Sequence, residues 1–212
     1  PLWVRAAGSD IAGRPVRLAV VVQMSVAYMS KGSSNREPSL KGGVGAVGER
    51  VAELGNSFGM DVTGVRRTAR SSGVRCVTMD HLDQVLPQAD VVVCSLPLTA
   101  ETRGLFNART FGLMKPGSWF VNVGRGGHTD HAALVEALGS GQIGAAGLDV
   151  TDPEPLPPSS PLWQMENVII SPHVGGFTPH YGERVWSIFL GNLRRFHSGR
   201  ELENVVDLEV GY

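Results

Sequence analysis

From residue 43 onward, short apolar runs of strand length alternate with longer stretches whose apolar residues recur at helical spacing. Residues 46–58 carry Val47, Val51, Leu54 and Phe58, spaced for one helical face. Residues 61–65 predict a strand, 81–86 a short helix, and 91–96 a fully buried, Val-rich strand. A helix over 106–114 is stopped by Lys115-Pro116-Gly117, and a strand over 119–123 follows. Asp130 stands as the N-cap of a helix over 132–138, which Gly139-Ser140-Gly141 ends. Residues 145–150 and 168–171 give two more strands. This alternation argues for a doubly wound α/β core, a parallel sheet with helices on both faces.

The ends of the chain follow a different pattern. Residues 1–41 contain one strand-like run, 16–22, and then a polar stretch, 30–38, with the composition of a loop or linker. Residues 179–196 return to helical spacing through Val185, Ile188, Phe189 and Leu193, and the tail beyond is expected to pack back on another part of the molecule.

Composition narrows the function classes. The formal net charge of -1 and the absence of a Lys/Arg run argue against a nucleic-acid partner. The longest apolar stretch, around 18–22, is far short of the ~20 residues needed to cross a bilayer, so no membrane partner and a cytoplasmic location are expected. Of the two cysteines, the flanks place Cys76 before a short strand and Cys94 inside the Val-rich one, which is no disulfide framework.

Candidate chemistry begins at Gly43-Val44-Gly45-Ala46-Val47-Gly48. This G-x-G-x-x-G run opens a helix, where bare backbone lets a pyrophosphate approach the positive helix N-terminus. The fingerprint calls for a strand directly before it, and residues 37–42 are not one, so a plain Gly-rich turn is the competing reading. About 20 positions on, the dinucleotide fold places a carboxylate for a ribose 2′-hydroxyl, or arginine where a 2′-phosphate is held. Arg66 and Arg67 follow the strand over 61–65, with Arg70 nearby. A guanidinium pairs with a phosphate in bidentate fashion where a carboxylate would repel it, so the preferred cofactor is NADP(H), with NAD(H) the alternative. A solvated basic loop is the competing reading of the arginines.

Further on, Leu96-Pro97-Leu98-Thr99-Ala100-Glu101-Thr102, Asn122-Val123-Gly124-Arg125-Gly126, Leu148-Asp149-Val150, Asp152-Pro153-Glu154-Pro155-Leu156 and Ser171-Pro172-His173-Val174-Gly175-Gly176 occur in that order. Together they resemble the D-isomer-specific 2-hydroxyacid dehydrogenase family, with the nearest likeness to its glyoxylate/hydroxypyruvate reductase-like members. The resemblance implies a Rossmann-like dinucleotide-binding domain over 42–176 and a second, smaller flavodoxin-like substrate domain, incomplete here. Residues 1–41 would be its remnant and linker, and 177–212 a helix and tail returning to it.

The resemblance also implies roles. His173 matches the acid/base that gives a proton to the substrate carbonyl as hydride arrives, a task that suits imidazole. Glu154 matches the carboxylate that holds this ring, and its negative charge favours imidazolium, keeping a proton available for reduction. Arg125 matches the cation that clamps the substrate carboxylate and polarises its keto oxygen. Asp149 matches the residue that meets the nicotinamide carboxamide. Leu96, Pro97, Thr102, Val123, Gly124, Arg125, His173 and Gly175 match positions along the cofactor cleft, with Gly43, Gly45, Ala46, Val47 and Gly48 at the pyrophosphate.

Taken singly, His173 is also readable as a loop histidine after a proline, Glu154 as a solvated acid, and Arg125 as a surface cation beside glycines. Joint occurrence favours the site, because residues following three strand ends converge at one sheet edge, where open α/β folds bind ligands. His128 and His131 form an H-x-x-H pair without accompanying thiols or carboxylates; they are read as substitutions at a helix start, and no metal is expected.

The expected function is NAD(P)H-dependent reduction of a small 2-keto acid to its D-2-hydroxy acid, in a homodimer by family likeness. The alternatives are a non-catalytic dinucleotide sensor or corepressor-like protein, or a truncated, inactive homologue. The strand that leads into the glycine loop is expected to be missing. Residues 1–39 read as short fragments in abrupt succession, either a true truncation or, the favoured explanation, a chain lacking intervening residues.

Overall fold

The computed structural model describes residues 17–22, 46–67 and 75–206. Its elements in chain order are β1 (Arg17–Val22), α1 (Ala46–Ser57), β2 (Asp61–Arg66), β3 (Arg75–Thr78), α2 (Leu82–Val85), β4 (Val91–Ser95), α3 (Ala108–Leu113), β5 (Ser118–Asn122), α4 (His131–Gly139), β6 (Ile143–Leu148), β7 (Val168–Ile170) and α5 (Tyr181–His197). Among the described residues, seven strands form one parallel sheet in the order β3-β2-β1-β4-β5-β6-β7. The order reverses between β1 and β4, the switch point at which doubly wound sheets open a ligand crevice at the carboxyl ends of their strands.

β1 corrects the expectation of a missing strand. The strand is present, but it lies well before the glycine run instead of directly against it. Arg17 pairs with Asp61 of β2 and Leu18 with Val91 of β4, so the run placed in a substrate-domain remnant is a central strand of this sheet. Central placement satisfies its backbone groups on both sides. Gly43, Gly45 and Arg70 lie outside the described residues, as do all but 17–22 of the residues 1–39 on which the choice between truncation and missing residues turned.

Local chemistry sets the helix starts. Asp130 Oδ1 accepts the backbone N–H groups of Ala132 and Ala133 at 3.0 and 3.1 Å, capping α4 as expected. α3 starts later than the expected 106 because Asn107 is its cap, accepting from Arg109 and Thr110 N–H while the Thr110 hydroxyl accepts from Asn107 N–H. Phe106 instead bridges to Thr129 and joins Phe111 and Phe120 in a fully buried aromatic cluster, its ring centroid 4.7 Å from that of Phe120. This cluster, with Leu134, Ile143 and Leu148, anchors the main core under β4, β5 and β6.

Two surfaces depart from the expected pattern. In α1 the buried face is made of small residues, Gly48, Ala52 and Gly55, whereas Val47, Leu54 and Phe58 of the apolar stripe are 60%, 43% and 58% exposed. α5 forms over the expected span, yet none of its side chains is buried, including Val185, Ile188, Phe189 and Leu193. Cys76 lies within β3, not before it. No helix among the described residues is long and apolar enough to cross a membrane.

Candidate active site

The loops after β5, β6 and β7 carry Arg125, Glu154 and His173, and because these strands are adjacent and parallel, all three loops leave the same sheet edge. His173 Nδ1 lies 2.7 Å from Glu154 Oε1, joining the β6 and β7 loops directly. Both side chains stay about two-fifths exposed, so the pair opens to solvent.

His173 has φ 55°, in the left-handed region that costs a non-glycine residue of the order of 1 kcal/mol or more. The surroundings hold it there. Asp149, just past β6, accepts the Ser171 hydroxyl at 2.6 Å and Val174 N–H at 3.0 Å on Oδ1, and Gly175 N–H at 3.0 Å on Oδ2. Burial pushes this carboxyl's pKa up, but these three donors and the nearby His173 imidazole outweigh it and hold the group below the usual carboxylate range. A carboxylate offers about four acceptor positions, so one remains on Oδ2 for an outside donor. Gly175 is required: a Cβ there would come within 2.9 Å of Asp149 Oδ2.

Arg125 is exposed, and its guanidinium donates to the Gly124 carbonyl at 2.7 Å. Its main chain is fixed by Asn122, fully buried at the end of β5, whose Nδ2 donates to the Arg125 carbonyl at 3.0 Å and whose Oδ1 accepts Gly124 N–H at 3.0 Å. Gly124 lies against the β4 loop so closely that a Cβ would meet the Leu96 carbonyl at 2.8 Å. Leu96 sends its side chain into the core and offers only backbone to this edge. Thr102 is buried, donating to the Pro97 carbonyl at 2.7 Å and accepting Thr99 N–H at 2.8 Å, so it shapes the Pro97 loop from behind. Pro97 is half-buried, and Val123 is 36% exposed.

The sequence profile of the D-isomer specific 2-hydroxyacid dehydrogenase NAD binding domain matches residues 16–175. The chain belongs to the D-isomer-specific 2-hydroxyacid dehydrogenase family. Its Rossmann-like fold agrees with that of solved family structures. It is 36% identical to a D-isomer specific 2-hydroxyacid dehydrogenase from Xanthobacter autotrophicus in complex with NADPH and MES, with TM-score 0.78 over 93% of this chain and 73% of that one. It is 33% identical to an NADPH-dependent glyoxylate/hydroxypyruvate reductase from Sinorhizobium meliloti in complex with NADP and sulfate, with TM-score 0.77 over 93% of this chain and 57% of that one. Among curated relatives, a glyoxylate reductase from Aeropyrum pernix is 38% identical over 79% of this chain and 51% of its own length. The chain thus spans about half the length of the curated relatives it matches.

In this dehydrogenase domain the two arginines after β2 have different surroundings. Arg66 is 3% exposed and reaches back to α1, its guanidinium 3.3 Å from Glu49 Oε1 and 3.7 Å from Cys76 Sγ. Arg67 is exposed. Ala46 opens α1, Val47 faces outward and Gly48 is buried in its first turn. Sequence reasoning gave no role to Asn122, Ser171 or His128. A polar amide at the end of an apolar strand was the available signal for Asn122, the motif that carries His173 held Ser171, and the H-x-x-H spacing drew attention to His128 without disclosing its partners. His128 and His131 do not form a ligand pair, since both ring nitrogens of His128 are bonded within the protein and no metal-holding group of three or more His, Cys, Asp or Glu occurs among the described residues.

Proposed function

We propose that this chain carries the cofactor-binding half of an NADP(H)-preferring reductase that converts a small 2-keto acid, of glyoxylate or hydroxypyruvate type, to its D-2-hydroxy acid. The observation that carries the reading is the 2.7 Å pair of His173 Nδ1 and Glu154 Oε1, set on adjacent strand ends beside Arg125. When bound, the reduced nicotinamide supplies a hydride to the keto carbon. Glu154 holds Nδ1 and steadies the charged ring, so Nε2 faces the substrate and gives its proton to the oxygen as it gains negative charge. Arg125 clamps the substrate carboxylate and polarises the keto oxygen. Oxidation of the hydroxy acid runs the same transfers in reverse.

The residues fit the dinucleotide. In this reading the N-terminus of α1 with the small Gly48 would receive a pyrophosphate, Asp149 would offer its remaining acceptor position to the carboxamide, and the exposed Arg67 would meet a 2′-phosphate, while the buried Arg66 pairs with Glu49 behind it. The Sinorhizobium meliloti structure, named as an NADPH-dependent glyoxylate/hydroxypyruvate reductase, supports the same substrate class and cofactor. Homodimer assembly and a cytoplasmic location belong to this reading; the exposed apolar residues of α5 supply surface for the former, and light scattering measures it.

The test is NADPH and NADH oxidation with glyoxylate, hydroxypyruvate, pyruvate and phenylpyruvate, each run beside His173→Ala. Turnover that favours NADPH and vanishes in the variant supports the reductase. Tight nucleotide binding without turnover on any of the four acids favours a dinucleotide sensor instead.

A further inference from the structure

His128 is fully buried in the single 3-10 turn Gly126–His128, and each of its ring nitrogens has one partner. Nδ1 lies 3.1 Å from the backbone nitrogen of Arg125. An amide N–H only donates, so Nδ1 is an acceptor. Nε2 lies 3.2 Å from the Pro97 carbonyl oxygen, which only accepts, so Nε2 carries the hydrogen. The two partners together fix one neutral tautomer. They belong to different loops, Arg125 after β5 and Pro97 after β4, and Cε1 of the ring sits 3.0 Å from where a Cβ on Gly124 would stand. An aliphatic side chain would fill this volume but leave the part-buried Arg125 N–H without its acceptor, and would leave the Pro97 carbonyl with the Thr102 hydroxyl alone, cutting the link between the two loops.

We propose that His128 is a positioning residue of the site, a neutral imidazole strut that sets the spacing between the Pro97 wall of the cofactor crevice and the main chain carrying Arg125. The inference rests on the reading of Pro97 and Arg125 as site residues. Its surroundings favour the neutral ring: burial, and behind it the positive charges of Arg125 and Arg103, hold the ring below histidine's ordinary pKa against the opposing pull of its hydrogen bonds to Pro97 and Arg125. The Asp152 carboxylate lies 3.9 Å from Arg103, at the edge of this group of cations. A protonated ring would turn an N–H toward the Arg125 N–H, two donors facing each other, so acid breaks the strut at the Arg125 side.

The experiment has two arms on the full chain. Side-chain nitrogen NMR of histidine-labelled protein reads the tautomer directly. His128 is expected as the Nε2–H form, still neutral below the pH of about 6.5 at which ordinary histidines titrate. An Nδ1–H form, or titration near the ordinary value, overturns the strut. The second arm measures Kd for NADP+ and for oxamate, an unreactive 2-keto acid analogue, in His128→Leu, His128→Asn and His128→Gln. Asn presents an acceptor near the Nδ1 position, and Gln a donor near Nε2. Oxamate binding is expected to weaken about tenfold in the Leu variant, the change that 1.4 kcal/mol produces, and to recover in Asn but not in Gln. Losses that follow thermal stability alone, equal for Asn and Gln, overturn the positioning role. The tautomer arm involves no ligand, so a wild-type protein that failed to hold oxamate would remove the assignment of Arg125 while the strut stood or fell on its ring.

Discussion

Gly126 lies against the backbone of Thr151: a Cβ added at Gly126 would fall 1.9 Å from the Thr151 carbonyl oxygen, with the Asp152 nitrogen at 2.6 Å. The β5 and β6 loops therefore meet main chain to main chain. With Gly124 on the Leu96 carbonyl and Asp149 on the loop of His173, contact runs unbroken across the ends of β4, β5, β6 and β7. Gly126→Ala forces the Arg125 and Glu154 loops apart. The expected result is a loss of stability of about 1–3 kcal/mol in urea unfolding, together with a fall in kcat larger than that of a surface Gly→Ala such as Gly112→Ala, whose Cβ meets nothing within 4 Å.

The pH dependence of stability has two windows. Asp149 is held below its ordinary value, so the folded state binds fewer protons than the unfolded chain. Its contribution is fully present above about 3.9 and is lost as pH falls below that through the folded value. His128 is likewise depressed, so its contribution is fully present above about 6.5 and is lost as pH falls below it. Urea midpoints between pH 8 and pH 3 are expected to show both declines. Each decline shrinks in a variant without vanishing: Asp149→Asn leaves Asp80, which its hydrogen bond to Thr78 depresses in the same direction, and His128→Leu leaves His131, which burial depresses.

Arg66 and Arg67 are expected to fail in different ways when replaced. Arg67→Ala is expected to weaken NADPH binding while leaving NADH nearly unchanged, since its guanidinium is exposed just past β2 and pairs a 2′-phosphate in bidentate fashion. Arg66→Ala also lowers stability, by about 1–3 kcal/mol, because its buried guanidinium joins β2 to Glu49 of α1. Dissociation constants for both cofactors, measured beside thermal unfolding, separate the two effects. Equal losses for NADPH and NADH in Arg67→Ala would remove its reading of the 2′-phosphate.

Glu154→Gln tests the orientation of the imidazole. The amide keeps the shape but not the charge, and kcat is expected to fall about 10²-fold, short of the ~10⁴-fold seen for a fully buried orienting carboxylate, because Glu154 is half open to solvent. NADPH affinity should change little, which a fluorescence titration checks.

Much of this organisation was legible in the chain, and the failures have physical causes. The buried strand β4 declares itself through Val91 to Val93, and Asp130 announces α4, since apolar runs and caps are local signals. β3 is a four-residue edge strand with no buried side chain, so no burial pattern marks it. In α1 the hydrophobic spacing picked out Val47, Leu54 and Phe58, but close packing on the sheet selects Gly48, Ala52 and Gly55, which lack the bulk to register as apolar. β1 was seen as a strand yet placed elsewhere, because local pattern does not disclose which strand a run pairs with. His128 reads in the sequence as a substitution at a helix start, and only the loop around it turns the ring inward.

The position of β1 in the sheet also sets an order of events in folding. The first strand of the described chain has its two neighbours at residues 61–65 and 91–95, and neither is joined to it by a hairpin. A chain leaving the ribosome must carry this Val-rich strand with both edges bare until β2 has emerged and with one edge bare until β4 has, because each pairing closes a long stretch of chain. Assembly of the sheet therefore waits on a long-range closure, and the interval before it is when the nascent chain is most exposed to pairing with strands of other molecules.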